Sequence, residues 1–404
     1  MNQPQKPKLP PMLPIERRTV GIVAVVAMFR LFGLFALLPV LSIYAVGLEG
    51  ATPLLAGLAV GGYGLTQALL QIPFGSLSDR IGRVPVILGG LALFGLGSLI
   101  AATSDSIYGV VAGRFLQGAG AISSTLTALL ADATRPEVRT RTMGLYGAGV
   151  GVSIILALVL GPVIAGRGGV QNLFLATAIL AVLAAAMVLV VPSTPRPAAN
   201  EGEVGFRSAM TLPLIMLDLY IFLLHAMLTV LFTALPFVLT NRLELPLSDH
   251  WQVYIGALAI SLAGTVPLIF ADDRQGKSWT IQVALVLMLS GLLVLALAGF
   301  ALLNVLAALG LFFAGLNFLE AALPARLSIL ASPRQRGASL GVFSTSQFLG
   351  AFCGGLLGGW LLSSGNPGDV FLFAGVLTAA WLVLHQFVFV ARKPAEKSAD
   401  RPEI

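Results

Sequence analysis

Gly75-Ser76-Leu77-Ser78-Asp79-Arg80-Ile81-Gly82-Arg83 is a short charged stretch between two long apolar ones. Residues 54–78 run into it and residues 84–103 run out of it, mostly apolar or small. A bilayer core takes about 20 apolar residues per helix, so each flank is long enough to cross a membrane. The glycines allow a tight turn, and Asp79 and Arg83, four residues apart, pair if that turn is helical. The stretch reads as a charged turn between two membrane-spanning helices.

Composition extends this reading to the whole chain. Of 404 residues, 57% are hydrophobic and only 10% charged, against about 25% charged in a soluble domain. A soluble fold cannot hide that much apolar surface from water. The single cysteine, Cys353, excludes an intramolecular disulfide and reads as a small packed residue in a Gly-rich run. The three histidines and one cysteine lack zinc-ligand spacing, so no metal site is expected. The first 18 residues are polar and Pro-rich. The apolar run after them is too long for a signal-peptide core and is expected to remain as the first span.

Apolar runs of spanning length fall at 20–46, 54–78, 84–103, 107–131, 141–166, 171–191, 213–240, 249–271, 279–299, 302–326, 337–362 and 370–391. The expected fold is an all-α membrane protein of twelve transmembrane helices. A tail over 1–19 leads into a first six-helix bundle over 20–191. A hydrophilic, Pro-containing linker over 192–212 joins it to a second bundle over 213–391, and a tail over 392–404 follows. The termini and the loops on their side hold 19 of the 24 Lys and Arg. The opposite loops hold only Arg167 and Arg242, with Glu49, Asp105, Glu244, Asp249 and Asp369. The positive-inside rule then places both termini in the cytoplasm.

The second half can be laid on the first at an offset of 197. Leu38-Pro39 then meets Leu235-Pro236, Gly113-x-Phe115 and Gly118 meet Gly310-x-Phe312 and Gly315, and Gly161 meets Gly358. In the second-to-third span turn the offset slips to 194, where Asp79-Arg80-x-Gly82-Arg83 meets Asp273-Arg274-x-Gly276-Lys277. Parallel six-helix repeats are a transporter architecture, with the substrate site between the halves near the midplane.

The Gly75–Arg83 loop closely resembles the GxLaDRxGRk loop of the major facilitator superfamily, with Val84 where a Lys is usual. The resemblance implies a conformational latch of Gly75, Asp79, Arg80, Gly82 and Arg83 with Asp132, the acid ending the fourth span. Arg114-x-x-Gln117-Gly118-x-Gly120 resembles the fourth-helix RxxQG motif. Gly147, Gly149, Gly151, Gly161-Pro162 and Gly166 resemble the fifth-helix motif associated with antiporters. Longer stretches, among them 63–68, 318–324 and 344–350, resemble a proton-driven drug-exporter branch of the superfamily. That branch carries an extra soluble C-terminal domain, where this sequence ends in a short charged tail.

Ionisable residues inside spans cost about 2.5–3.5 kcal/mol near a helix centre and need a reason. They are Arg30, Arg114, Asp218, His225, Glu320, His385 and, near a boundary, Arg326. Under the 197 offset Arg30 falls on Met227, Arg114 on Leu311, Glu320 on Ser123 and His225 on Met28. Charges that break the pseudo-symmetry point to function rather than packing. Burial favours a neutral carboxyl, which lets an intramembrane acid take and release a proton. Glu320 is the leading proton-coupling candidate, with a helix-bracing role as its alternative. His225 is a candidate relay or an interhelical bond, and Asp218 a candidate gating ion pair or proton carrier. His385 reads as structural. Candidate substrate contacts are Arg30, Asn317, Tyr63, Gln67, Arg114 and Gln117. Arg30 reads either as an anion site or as the counter-ion of Glu320. Gln71 and Gln347 add neutral polar surface.

The leading expectation is a secondary transporter working by alternating access. It would be a proton-coupled antiporter exporting a small amphipathic compound across a bacterial inner membrane. The alternative is a symporter or facilitator for a small anionic metabolite, with Arg30 as the anion site. No enzyme is expected, because no nucleophile–His–acid set and no phosphate-cradling loop is present. The expected partners are a small-molecule substrate, protons and the bilayer, with no nucleic acid, in a monomer. No cofactor is expected; the proton gradient supplies the energy.

Overall fold

The computed structural model of the chain describes residues 10–192, 211–272, 278–332 and 335–387. They form α1 (Pro14–Phe35), α2 (Leu38–Ala45), α3 (Pro53–Ile81), α4 (Arg83–Ala102), α5 (Ile107–Ala119), α6 (Ser123–Asp132) and α7 (Pro136–Leu189). These are followed by α8 (Leu212–Asn241), α9 (His250–Ala271), α10 (Ser278–Leu297), α11 (Leu302–Leu330), α12 (Arg336–Leu362) and α13 (Pro367–His385). Ten stretches are long and apolar enough to cross a membrane, with α1 and α2 running as one. Gly169, at φ 82° and ψ 160°, divides the 54-residue α7 into two crossings. α5 and α6, each too short alone, together make another. The result is the expected twelve. Most of the linker, the tail 392–404 and the second-half turn motif over 273–277 lie outside the described residues.

Local chemistry sets the boundaries. Gly82 takes φ 103°, which lets α3 end and α4 begin one residue apart. Thr52, Ser106 and Asn366 cap the helices that follow them with side-chain oxygens. Between α10 and α11 the chain turns through Gly299 at φ 77°, and Asn304 donates 2.9 Å back to the Ala298 carbonyl. Three details depart from the sequence reading. α1 starts at Pro14, so Glu16, Arg17 and Arg18 are helical rather than part of the tail. The first span breaks at Ala36–Leu37, just before Pro39, which cannot donate into a continuous helix. The fourth span breaks over Gly120-Ala121-Ile122.

In lipid, helices associate through close packing and interhelical hydrogen bonds rather than through a hydrophobic drive, so small residues mark the contacts. A Cβ on Gly161 would strike the Ala36 backbone, and one on Gly358 would strike Thr233. Both members of that pair are related by 197. The third and fourth crossings keep a different register. Gly97 rests on Gly113 and Gln117 as Gly291 rests on Ala308 and Phe312. Gly120 rests on Gly90 and Phe94 as Gly315 rests on Ala284 and Met288. These contacts set offsets of 194 for α4 against α10 and 195 for the fourth against the tenth crossing. The alignment of Gly113 with Gly310 is therefore two residues out. Gly- and Leu-rich strings match at several registers, and only backbone contact selects one. In the corrected register Arg114 falls on Leu309 and Glu320 on Thr125, so the charges remain unmatched.

The halves meet along α3 and α12. Cβ atoms on Gly57 or Gly61 would collide with the backbone of Gly355, Gly359 or Ala351. A second seam lies where Gly166 of α7 meets Ser248, just before α9.

Candidate functional site

Four polar clusters sit within the bundle, and the sequence candidates divide among them. The first lies in the first half. Arg30 of α1 is buried and donates to Ser123 Oγ at 2.8 Å and Gln67 Oε1 at 2.5 Å. Its carbon centre lies 5.9 Å from the Phe94 ring. Gln67 in turn donates to Gln71 at 3.3 Å. The break before α6 brings Ser123 and Ser124 within reach, with Ser124 bonded to the Gln71 carbonyl at 3.2 Å. Arg30 makes no ion pair among the described residues, so the alternative in which it is the counter-ion of Glu320 is not realised; neutral oxygens from α3 and α6 accept from its two terminal nitrogens, and its Nε has no hydrogen-bond partner among them.

The second cluster surrounds Arg114 on α5, which is fully enclosed. It donates to the Ala59 carbonyl at 3.0 Å, the Val60 carbonyl at 3.2 Å and Gln117 Oε1 at 2.7 Å. Gln117 passes the chain to Ser98 at 2.8 Å. The guanidinium stacks over Tyr63 at 4.6 Å, and Tyr63 meets the edge of Phe348 from the other half at 6.4 Å. With no exposed surface, Arg114 and Gln117 brace α5 to α3 and α4 here rather than presenting themselves to a substrate.

The third cluster lies in the second half. His225 of α8 places Nδ1 3.3 Å from the Ile221 carbonyl. Its Nε2 lies 3.1 Å from Glu320 Oε1 on α11 and 2.8 Å from the Gln347 carboxamide on α12. The Glu320 side chain is 35% exposed, against 9% for His225. Asn317, one turn from Glu320, donates to Ser261 on α9 at 3.2 Å. Asp218 is buried two turns along α8, and its Oδ1 has no hydrogen-bond partner. The ion pair expected for Asp218 is not formed among the described residues, because no described cation reaches it. His385 bonds to the Tyr220 hydroxyl at 2.9 Å and Ser278 at 3.0 Å, tying three helix ends together.

The fourth cluster is the charged turn. Arg83 meets Asp79 at 2.5 Å and Asp132 at 2.9 Å, and it donates to Ser78 Oγ at 2.6 Å. Ser78 closes the turn onto the Gly75 carbonyl at 2.7 Å. Arg80 is exposed. In the second half Asp272 meets Arg326 at 2.8 Å. On the registers above Asp272 falls on Ser78 and Arg326 on Ala131, next to Asp132, so the tenth crossing carries a base where the fourth carries an acid. Ser78, Ser98 and Ser123 escaped the sequence reading, as did the specific role of Gln347. A Gly-Ala-Gly-Ala run before Ser123-Ser124 was the available sign of the helix break.

Two related six-helix bundles with buried charges near their seam are the architecture of a membrane transporter, and the chain belongs to the major facilitator superfamily. The family described as Major Facilitator Superfamily matches residues 23–332 and 272–403, and the expected fold class is borne out. Among its relatives is the inner membrane transport protein YajR of Escherichia coli K12, 40% identical over 372 residues, covering 90% of this chain and 81% of that one. The class C tetracycline resistance protein of Escherichia coli is 38% identical over 128 residues, 31% of each chain. Among solved structures, a bacterial homologue of the human lysosomal transporter Spinster, inward-facing and occupied, aligns with a TM-score of 0.78 at 15% identity. That alignment covers 94% of this chain and 98% of that one, a likeness of fold.

Proposed function

We propose that the protein is a proton-coupled antiporter that exports a small amphipathic compound by alternating access, with both termini in the cytoplasm of a bacterial cell. The observation that carries this reading is the contact of His225 with Glu320 inside the second bundle. An acid and an imidazole in contact within a membrane can share one proton with no net charge, and carry one negative charge when it leaves. Glu320, the more open partner, takes the proton, and Asp218 relays it along α8. Asn317, beside Glu320, and Tyr63, which meets Phe348 of α12 across the seam, are the substrate contacts in this reading. Arg30, Gln67, Arg114 and Gln117 support that wall from behind. Partial similarity to a tetracycline resistance protein supports export of a drug-like compound.

The test is Glu320→Gln in proteoliposomes, with an imposed pH gradient and a panel of amphipathic compounds chosen by growth protection. The expected outcome is loss of compound-dependent proton release, with protein level and thermal stability unchanged. Proton-driven export at the wild-type rate in this variant would sink the assignment.

A further inference from the structure

The hydrogen-bond geometry at His225 limits where the protons around it can sit. The Ile221 carbonyl only accepts, so Nδ1, 3.3 Å from it, carries a hydrogen. Nε2 then faces both the Gln347 carboxamide at 2.8 Å and Glu320 Oε1 at 3.1 Å. Two arrangements put a hydrogen between Nε2 and Glu320, with Nε2 dividing its one lone pair or its one hydrogen between Glu320 and Gln347. In one, Nε2 is a lone pair, the Gln347 NH2 donates to it, and Glu320 meets it as a protonated acid. In the other, Nε2 carries a hydrogen, the ring is an imidazolium, Glu320 is a carboxylate and Gln347 turns its oxygen inward. Both hold one proton beyond a neutral ring and a carboxylate. They differ only in its owner: the O–H bond breaks as the N–H bond forms, and the carboxamide orientation goes with the choice. Removing the proton leaves a lone pair facing a carboxylate, or Nδ1 facing a carbonyl without its hydrogen. Either loosens the contact of α8 with α11.

We propose that Gln347 is the positioning residue that holds this proton in place and sets which partner owns it, a role that rests on the antiport reading above. Its helix is placed to pass the state on. Gly350 and Gly354 seat the α12 backbone against Phe222 and Ala226 of α8, on either side of His225. On the first-half side, Phe348 touches Tyr63 and Thr345 bonds to the Ala68 carbonyl at 3.5 Å. Other titratable or charged groups on the surrounding helices are Asp218 on α8, Arg326 with Asp272 at the ends of α11 and α9, and His385 on α13. Tyr63 under Arg114 faces α12 from the first half, and α12 itself adds Cys353 and Arg336. Among the described residues none of these bonds to His225, Glu320 or Gln347.

The experiment follows the carboxylic-acid infrared band of the full-length protein in lipid across a pH titration. Four proteins are compared: wild type, Glu320→Gln, Gln347→Met and Gln347→Asn. Gln347→Met keeps the volume without polar atoms; Gln347→Asn keeps the carboxamide but shortens its reach. The wild type should show a band that titrates, and Glu320→Gln should lack it. In both Gln347 variants the band should move away from its wild-type position in the titration, because the carboxamide that meets Nε2 is removed or withdrawn. The pH profile of transport should move with the band. A band lost in Glu320→Gln but unmoved in both Gln347 variants overturns the role of Gln347 alone. A band and proton-driven export both retained in Glu320→Gln overturn the assignment of Glu320 as proton carrier and the Gln347 proposal with it, whereas export by the wild type that is indifferent to the pH gradient overturns the antiport reading itself.

Discussion

At the scale of single residues, the two buried arginines of the first half solve the same problem in different ways. A buried guanidinium must have its hydrogens accepted. Arg114 uses carbonyls of α3 together with Gln117, whereas Arg30 uses side chains only, Gln67 and Ser123, and leaves its Nε without a partner among the described residues. Arg114→Met leaves two carbonyls and Gln117 without their donor. It is expected to lower stability by about 2–4 kcal/mol, read as thermal unfolding in detergent. Arg30→Lys retains the charge but loses the fork, and a smaller loss is expected. A loss as large for Arg30→Lys as for Arg114→Met would contradict this ranking. The intramembrane charges were legible as positions in the sequence, because each breaks an apolar run. Their partners were not, since neutral residues such as Ser123 and Gln347 carry no signal until a helix break or a facing helix is known.

At the scale of elements, run length foretold the crossings and their order. It did not foretell breaks, which depend on how freed backbone groups are satisfied rather than on hydropathy. The interruption at Gly120–Ile122 contains nothing polar, yet it aims Ser123 at Arg30. The α3–α12 seam was legible only as an abundance of glycine. Its contacts are backbone on backbone, so a single added methyl has no side chain to displace. Gly61→Ala or Gly355→Ala should push the seam apart. Cysteine pairs placed near residues 54 and 362 should cross-link markedly less in either variant than in the parent. Equal cross-linking would show that the seam yields without opening.

At the scale of the whole molecule, each bundle is braced at the end that carries the termini by an ion pair between neighbouring crossings. The pairs have opposite polarity: Arg83 with Asp132, and Asp272 with Arg326. Each is mostly enclosed, so neutralising its acid takes a charged partner from the arginine, with Arg83 left to Asp79 and Ser78. Asp132→Asn and Asp272→Asn are each expected to lower stability by about 1–2 kcal/mol, with near-additive effects, because they lie in separate halves. Strong non-additivity in thermal unfolding would mean that the bundles do not behave as separate bodies.

The depth of α8 has a consequence for how the chain is made. It is the most enclosed of the spanning stretches, with 78% of its core window buried, and the helices that cover it include α12 and α13, the last two of the described helices in chain order. Until residue 362 has been synthesised, the His225 side of α8 lacks the cover that α12 supplies. A nascent chain stalled before Arg336 would hold an acid and an imidazole against lipid or an insertion partner. Truncations in the final third should therefore be removed by membrane proteolysis faster than truncations that end after the first bundle.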